Sequence, residues 1–175
     1  MNLIYNGNVE ITLDHTKRYR NKGTIHLFRL FASLMAGDEY KPTVFPYYIM
    51  LYDTSPNTIL TTPNTTTHQS KAVLNRKVIL HRYTTEQQDD LDTIYSAVFD
   101  TSITREYLNN YVAKYEDPGQ RPSADNFILT LALISQEGDS ILAAVPFSKD
   151  EYDHIVAGGS AIIKWSMSLT NGGDE

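Results

Sequence analysis

The side chains that could do chemistry are scattered along this chain. Its five histidines are His15, His26, His68, His81 and His154, and no two of them fall at the short helical or strand spacings that metal sites use. Cysteine is absent, which excludes thiolate metal sites, cysteine nucleophiles and a disulfide framework together. His154 follows Asp153, His15 follows Asp14 and His81 precedes the acidic stretch that begins at Glu86, whereas His26 is a lone histidine beside Leu27, ordinary for a helix boundary. Carboxylates are plentiful (Asp89, Asp90, Asp92, Asp150, Asp153). General acid–base catalysis needs two of them held apart across a cleft, and their clustering in turns and at a helix start is the usual use of aspartate. There is no Gly-x-Ser-x-Gly elbow, no phosphate-cradling glycine loop and no His-Glu-x-x-His. Gly158-Gly159-Ser160 could approach a ligand, but a helix exit before a strand explains it more simply. The sequence therefore predicts no enzyme: no catalytic residue, no metal ligand and no cofactor. A hydrolase is the third-ranked reading, and it requires a histidine such as His81 or His154 beside a carboxylate in one cleft.

Binding chemistry is better represented. Lys17, Arg18, Tyr19, Arg20, Asn21 and Lys22 interleave four cations with a stacking aromatic, the composition of a nucleic-acid contact. So few phosphate contacts on an acidic protein bind weakly at physiological salt. Direct nucleic-acid contact is thus not expected; a solvated loop, or a basic arm that salt-bridges to an acidic neighbour, is. Tyr47, Tyr48 and Tyr52, or Tyr107, Tyr111 and Tyr115, could form an aromatic platform for sugar rings or a protein hot spot. The competing reading places them at half-buried sheet positions with wet hydroxyls.

These residues need elements to hold them. Leu3 to Tyr5 lead into Asn6-Gly7, a hairpin turn signal, before the alternating Val9, Ile11 and Leu13. Residues 15–23 read as a basic, flexible arm. Thr24 is a candidate N-cap, and Leu27, Leu30, Phe31, Leu34 and Met35 recur at helical steps until Gly37, predicting a helix over about 24–36. Tyr47–Tyr52 reads as a strand buried on both faces. Residues 53–70 read as a loop with a short strand over Thr58–Thr61, Lys71–Tyr83 as one strand, and Leu91–Phe99 as another after the acidic turn Glu86–Asp90. Residues 104–115 read as a short helix, stopped by Asp117-Pro118-Gly119. Phe127–Ser135 and Ile141–Val145 form a hairpin through Gly138-Asp139. Ser148 and Glu151 make a capping box that opens one or two helical turns. In the final strand, Ala161–Thr170, Ile163, Trp165, Met167 and Leu169 take one side and Lys164, Ser166 and Ser168 the other.

The composition agrees with a β protein. Among 175 residues stand 18 Thr, 12 Ser, 11 Asn and 12 Tyr, types that fit pleated, half-exposed surfaces and turns. No β-α-β alternation or repeat is present. The predicted fold is mainly β: an antiparallel β-sandwich, or flattened barrel, of seven or eight strands with one packed α-helix and one or two short ones. It should occupy residues 1–170 as a single domain, with a polar tail over 171–175. The absence of a long apolar run or a leader-like start argues against a membrane or secreted protein. The net charge of -6 conceals a split. Residues 1–82 carry ten basic and five acidic groups (+5), and residues 83–175 carry five and sixteen (-11). Opposite-signed halves allow head-to-tail docking by charge complementarity, unless the fold interleaves them.

The order of the pieces carries a resemblance. A strand pair, a basic stretch, Gly23-Thr24-Ile25-His26-Leu27-Phe28-Arg29-Leu30-Phe31 with Leu34 and Gly37, and a Tyr-Ile-Met-Leu-Tyr strand come first. Pro146-Phe147-Ser148, a short helix, Gly158-Gly159 and Ile162-Ile163-Lys164-Trp165-Ser166-Met167 close the chain. This resembles small structural proteins of tailed bacteriophage virions (tail, collar, baseplate or head decoration). The resemblance implies a non-enzymatic homo-oligomer, a ring or trimer in the virion, that bridges to portal, collar, tail or capsid proteins. Lys17, Arg18, Arg20 and Lys22, with exposed tyrosines, are the expected interface. The alternative is a carbohydrate- or receptor-binding module that stacks its ligand on tyrosines and Trp165.

Overall fold

The computed structural model describes residues 2–36, 47–88, 93–108, 127–135 and 139–172. Half of the described residues are strand, arranged as two antiparallel sheets of five strands that form a β-sandwich with helices packed on it. The first sheet runs β2 (Thr16–Arg20), β1 (Asn2–Thr12), β10 (Ala161–Gly172), β7 (Thr93–Ile103), β6 (His81–Gln88). The second runs β3 (Lys22–Gly23), β9 (Ile141–Phe147), β8 (Leu129–Ile134), β4 (Tyr48–Tyr52), β5 (Val78–Ile79). Four α-helices accompany them among the described residues: α1 (Ile25–Ala36), α2 (Pro56–Thr61), α3 (Thr65–His68) and α4 (Lys149–Val156).

Alternation along β10 shows why the sheets close on each other. Ile163, Trp165 and Met167 are buried, while Ile162 is exposed and Lys164, Ser166 and Ser168 are half-exposed. Trp165 stands in register between Val9 of β1 and Phe99 of β7, so three strands contribute one inner row. The facing sheet answers with β8, whose six residues are all buried. A strand can be buried on both faces only if something covers the outside, and α2 packs there on β8 and β9 while α1 packs on β9. Tyr48–Tyr52 is buried after its first residue, as its continuous apolar run predicts.

Several expectations are corrected. Asn6-Gly7 does not turn; both lie inside the eleven-residue β1. Glycine is needed at position 7 for space, because a Cβ there would collide with Asn21 Oδ1 and the Tyr5 hydroxyl. Residues 15–23 are not a flexible arm but the edge strand β2, a corner at Asn21, and β3. Its period is two: Lys17 and Tyr19 turn inward and are half-buried, while Arg18 and Arg20 are exposed. The corner is pinned by Asn21 N–H donating to Gly7 O at 2.9 Å and Tyr5 Oη donating to Asn21 Oδ1 at 2.7 Å.

The loop expected over 53–70 contains α2, α3 and a 3-10 turn at Gln69–Lys71, with no strand at 58–61. Ser55 caps α2 by accepting from Thr58 N–H at 3.3 Å, Pro56 takes the first helical position, and Ile59 buries the helix. Asp139 accepts from Thr65 Oγ1, Thr66 N–H and Thr66 Oγ1 at 3.0, 2.8 and 2.6 Å, and these bonds hold its carboxyl below the usual aspartate value.

The single strand expected over 71–83 is two strands in different sheets, β5 and β6, with Leu80 as the crossing. Leu80 N–H donates to Tyr47 O at 3.0 Å there. Glu86 belongs to β6 and not to a turn. Of the helix expected over 104–115, the structure has a 3-10 turn at Arg105–Tyr107, and 109–115 lie outside the described residues, as do Gly37, Asp89–Asp92 and Gly138. Asn171 and Gly172, expected in a tail, still pair with Leu3 and Asn2.

Candidate functional site

The basic strand β2 finds its acidic surface within its own subunit. Lys17 Nζ donates to Ser148 Oγ at 3.1 Å and pairs with Asp150 at 3.4 Å and Glu151 at 3.9 Å. Tyr19 Oη donates to Glu151 Oε1 at 3.0 Å. Glu151 is fully buried and also takes both the backbone N–H and the hydroxyl of Ser148, so the expected capping box is present. A buried carboxylate is stable only when paired and hydrogen-bonded, and β2 supplies two of its partners. Burial first, and the Glu151 charge next, push the Tyr19 hydroxyl up to about 12. Lys, Tyr, Ser and Glu together are residue types of acyl-transfer sites, but here the Ser148 hydroxyl caps α4, accepting from Glu151 N–H and donating a hydrogen bond to the Glu151 carboxylate. Arg18 pairs with Glu10 at 3.1 Å. Arg20 and Lys22 are exposed.

Of the aromatic candidates, three are core. Tyr47 stacks edge-on against Phe99, with centroids 4.6 Å apart. Tyr52 is buried near His68, and burial pushes its hydroxyl up to about 12. Trp165 is completely buried. Tyr47, Tyr52 and Trp165 therefore do not form a binding surface of the folded chain. Tyr48 is half-buried and carries Lys77 Nζ 5.8 Å from its ring centre. Tyr111 and Tyr115 lie outside the described residues.

The surface feature that the residue types did not reveal is the Arg76–Lys77 segment. A groove of about 720 Å³ opens on one side of it and another of about 770 Å³ on the other. The Arg76 guanidinium carbon sits 4.8 Å from the Tyr107 ring centre. Asn75 fixes the segment to the 3-10 turn, its N–H donating to Tyr107 O at 2.7 Å and its Nδ2 to Glu106 O at 2.8 Å. Two cations are thus held over two tyrosine faces, where the ring quadrupole attracts them.

The first groove also contains His81, Asp100 and Ser102. His81 and Asp100 are direct cross-strand partners, and Ser102 is two residues along the same face of β7. These are the residue types of a hydrolytic triad, yet among the described residues neither a hydrogen bond nor an ion pair joins any two of them. His154 lies elsewhere, beneath Gly159, where a Cβ would strike its ring. His81 also begins a row that crosses the whole sheet in register: His81, Asp100, Lys164, Glu10, Arg18. Neighbours alternate between basic and acidic types, which favours this register over any slip.

Among the described residues no group of three His, Asp or Glu side chains could hold a metal ion, and no helix is long and apolar enough to cross a membrane. Compared with known proteins, the chain matches no family model, no curated protein and no solved structure.

Proposed function

We propose that this chain is a non-enzymatic assembly protein that self-associates through α1 and bridges to neighbouring proteins. The reading of that role as one in a virion rests on its piece order, which resembles small structural proteins of tailed bacteriophage virions. One observation carries the self-association. Ile25 (56% exposed) and Phe28 (54% exposed) lie on the outer side of α1, and Arg29, Ala32 and Ala36 are exposed at the following helical steps. Residues three and four apart share a helix face, so this is an apolar stripe on the outside of a helix whose Leu27 is already in the core.

The occupant that fits is the same stripe of a second copy. Ala32 and Ala36 allow two helix backbones to approach closely while Phe28 and Ile25 fill the ends. Burying what is left exposed of Ile25 (56%) and Phe28 (54%) contributes about half of the ~1.5–3 kcal/mol that full burial of such a side chain supplies. The sugar-stacking alternative loses Tyr47, Tyr52 and Trp165 to the core and is not favoured.

The test is sedimentation equilibrium of the wild-type chain and of Ile25→Glu/Phe28→Glu. The reading expects an oligomer that the double variant converts to a folded monomer. A virion role also expects the chain to co-purify with particles. A wild-type monomer absent from particles would sink the proposal.

A further inference from the structure

We infer that the groove beside Arg76 takes an extended, acidic segment of a different polypeptide by strand addition to β7. This deepens the assembly reading and rests on it for the partner being a protein. The register supplies the first argument. Pairing between β6 and β7 stops at His81 opposite Asp100. β7 continues through Thr101, Ser102 and Ile103, which pair on their other side with Ile163, Ile162 and Ala161 of β10. Beyond His81 the chain has left this sheet, because Leu80 is the crossing from β5. Successive strand residues direct their N–H and C=O groups to opposite neighbours. Some of the backbone groups of Thr101–Ile103 therefore face the edge that β6 vacates; β5 packs close by on its way to the other sheet, but among the described residues no strand pairs with β7 there. Thr101 and Ser102 line the groove there.

The second argument is chemical. Ile79 (54% exposed) and Ile162 (51% exposed) give the groove apolar walls, and Arg76, Lys77 and His81 face it against the one carboxylate of Asp100. A strand advances about 3.3 Å per residue, so the free stretch of β7 accommodates roughly three or four residues. An occupant with carboxylates on either side of an apolar residue matches cations and isoleucines together. A nucleic acid would leave the isoleucines without partners and place phosphate near Asp100. Main-chain bonds would give affinity, and the Arg76 guanidinium, held over Tyr107, would select for acid. The self-associating stripe on α1 is a separate feature, which leaves this groove for a different chain.

The experiment is fluorescence anisotropy of a labelled eight-residue peptide of alternating Glu and Val, titrated with the full chain. Three comparisons accompany it: the same peptide with Lys for Glu, the peptide N-methylated at alternate residues, and the variant Arg76→Glu/Lys77→Glu. The inference expects saturable binding that weakens with salt. It expects at least a tenfold loss for the Lys peptide, for the N-methylated peptide and for the variant, with the variant's thermal unfolding unchanged. Should the variant fold poorly, the N-methylated peptide still decides, since it leaves the protein untouched. No binding, or binding indifferent to N-methylation or to peptide charge, overturns it. If the peptide competes with self-association and the variant abolishes that association, the occupant is a second copy and the assignment to a different polypeptide is wrong. Repeating the titration on Ile25→Glu/Phe28→Glu separates the two readings. Binding that persists there stands even if the wild-type chain is monomeric, and an oligomer that binds no peptide defeats the groove alone.

Discussion

Arg76 and Tyr107 are brought together across thirty-one residues of sequence, the guanidinium carbon 4.8 Å from the ring centre. That pairing orients an exposed cation at the lip of a groove lined by the stretch of β7 that β10 pairs on one edge and β6 leaves on the other. Contacts of this kind contribute about 0.5–1 kcal/mol at exposed sites. Tyr107→Leu should therefore change urea stability by less than about 1 kcal/mol while weakening acidic-peptide binding severalfold. Unchanged peptide binding would show that the ring does not orient the cation.

The clamp between β2 and α4 should be far more sensitive. Lys17→Met removes a cation from the buried Glu151 carboxylate but leaves its bonds to Tyr19 and Ser148. A loss of about 1–3 kcal/mol in denaturant unfolding is expected, below the full cost of an unpaired buried charge. Glu151→Ala also destroys the capping box, and it should cost more than Lys17→Met.

Stability should fall at alkaline pH. Burial pushes the hydroxyls of Tyr5 and Tyr52, and burial with the Glu151 charge that of Tyr19, up to about 12, against an ordinary value of 10.0. The folded state thus favours the protonated form. This contribution is fully present below pH 10 and is lost as pH rises towards 12. Denaturant midpoints measured across pH 9–12 should decline, and Tyr19→Phe should make the decline shallower. A decline of equal slope in that variant would remove Tyr19 from the account.

Gly7→Ala places a methyl group against Asn21 Oδ1 and the Tyr5 hydroxyl. Overpacking of this kind costs about 1–3 kcal/mol. The single variant should be destabilised by that amount, and Asn21→Ala should be partly compensated when combined with it. Strict additivity in the double-mutant cycle would mean that the collision is relieved elsewhere.

Much of this fold was legible where one local pattern decides the outcome. The alternation of Ile163, Trp165 and Met167 with Lys164 and Ser166 reads directly as a half-buried strand. Ser148 and Glu151 identify their cap without help from the rest of the chain. The misreadings occur where tertiary contacts overrode local chemistry. Asn6-Gly7 looks like a turn, but Gly7 is required by a close approach to Asn21, fourteen residues away. Ser55-Pro56 reads equally as loop or helix start, and Ile59 reaching the core decides for helix. Residues 71–83 look like one strand because nothing local marks Leu80 as the crossing between sheets. The site was least legible. Lys17 and Tyr19 were singled out for their charge and ring, but Glu151, which uses them, lies more than 130 residues away. Arg76 and Lys77 read only as the polar face of the strand expected over 71–83, since their partners Tyr107 and Tyr48 arrive only through folding.

The central claim, that this is a self-associating assembly protein docking through α1, is tested most directly by sedimentation equilibrium of the intact chain beside Ile25→Glu/Phe28→Glu. The account predicts a concentration-dependent oligomer for the wild type and a folded monomer for the variant. A wild-type chain that stays monomeric at high concentration, or a variant that associates as strongly as the wild type, would contradict it.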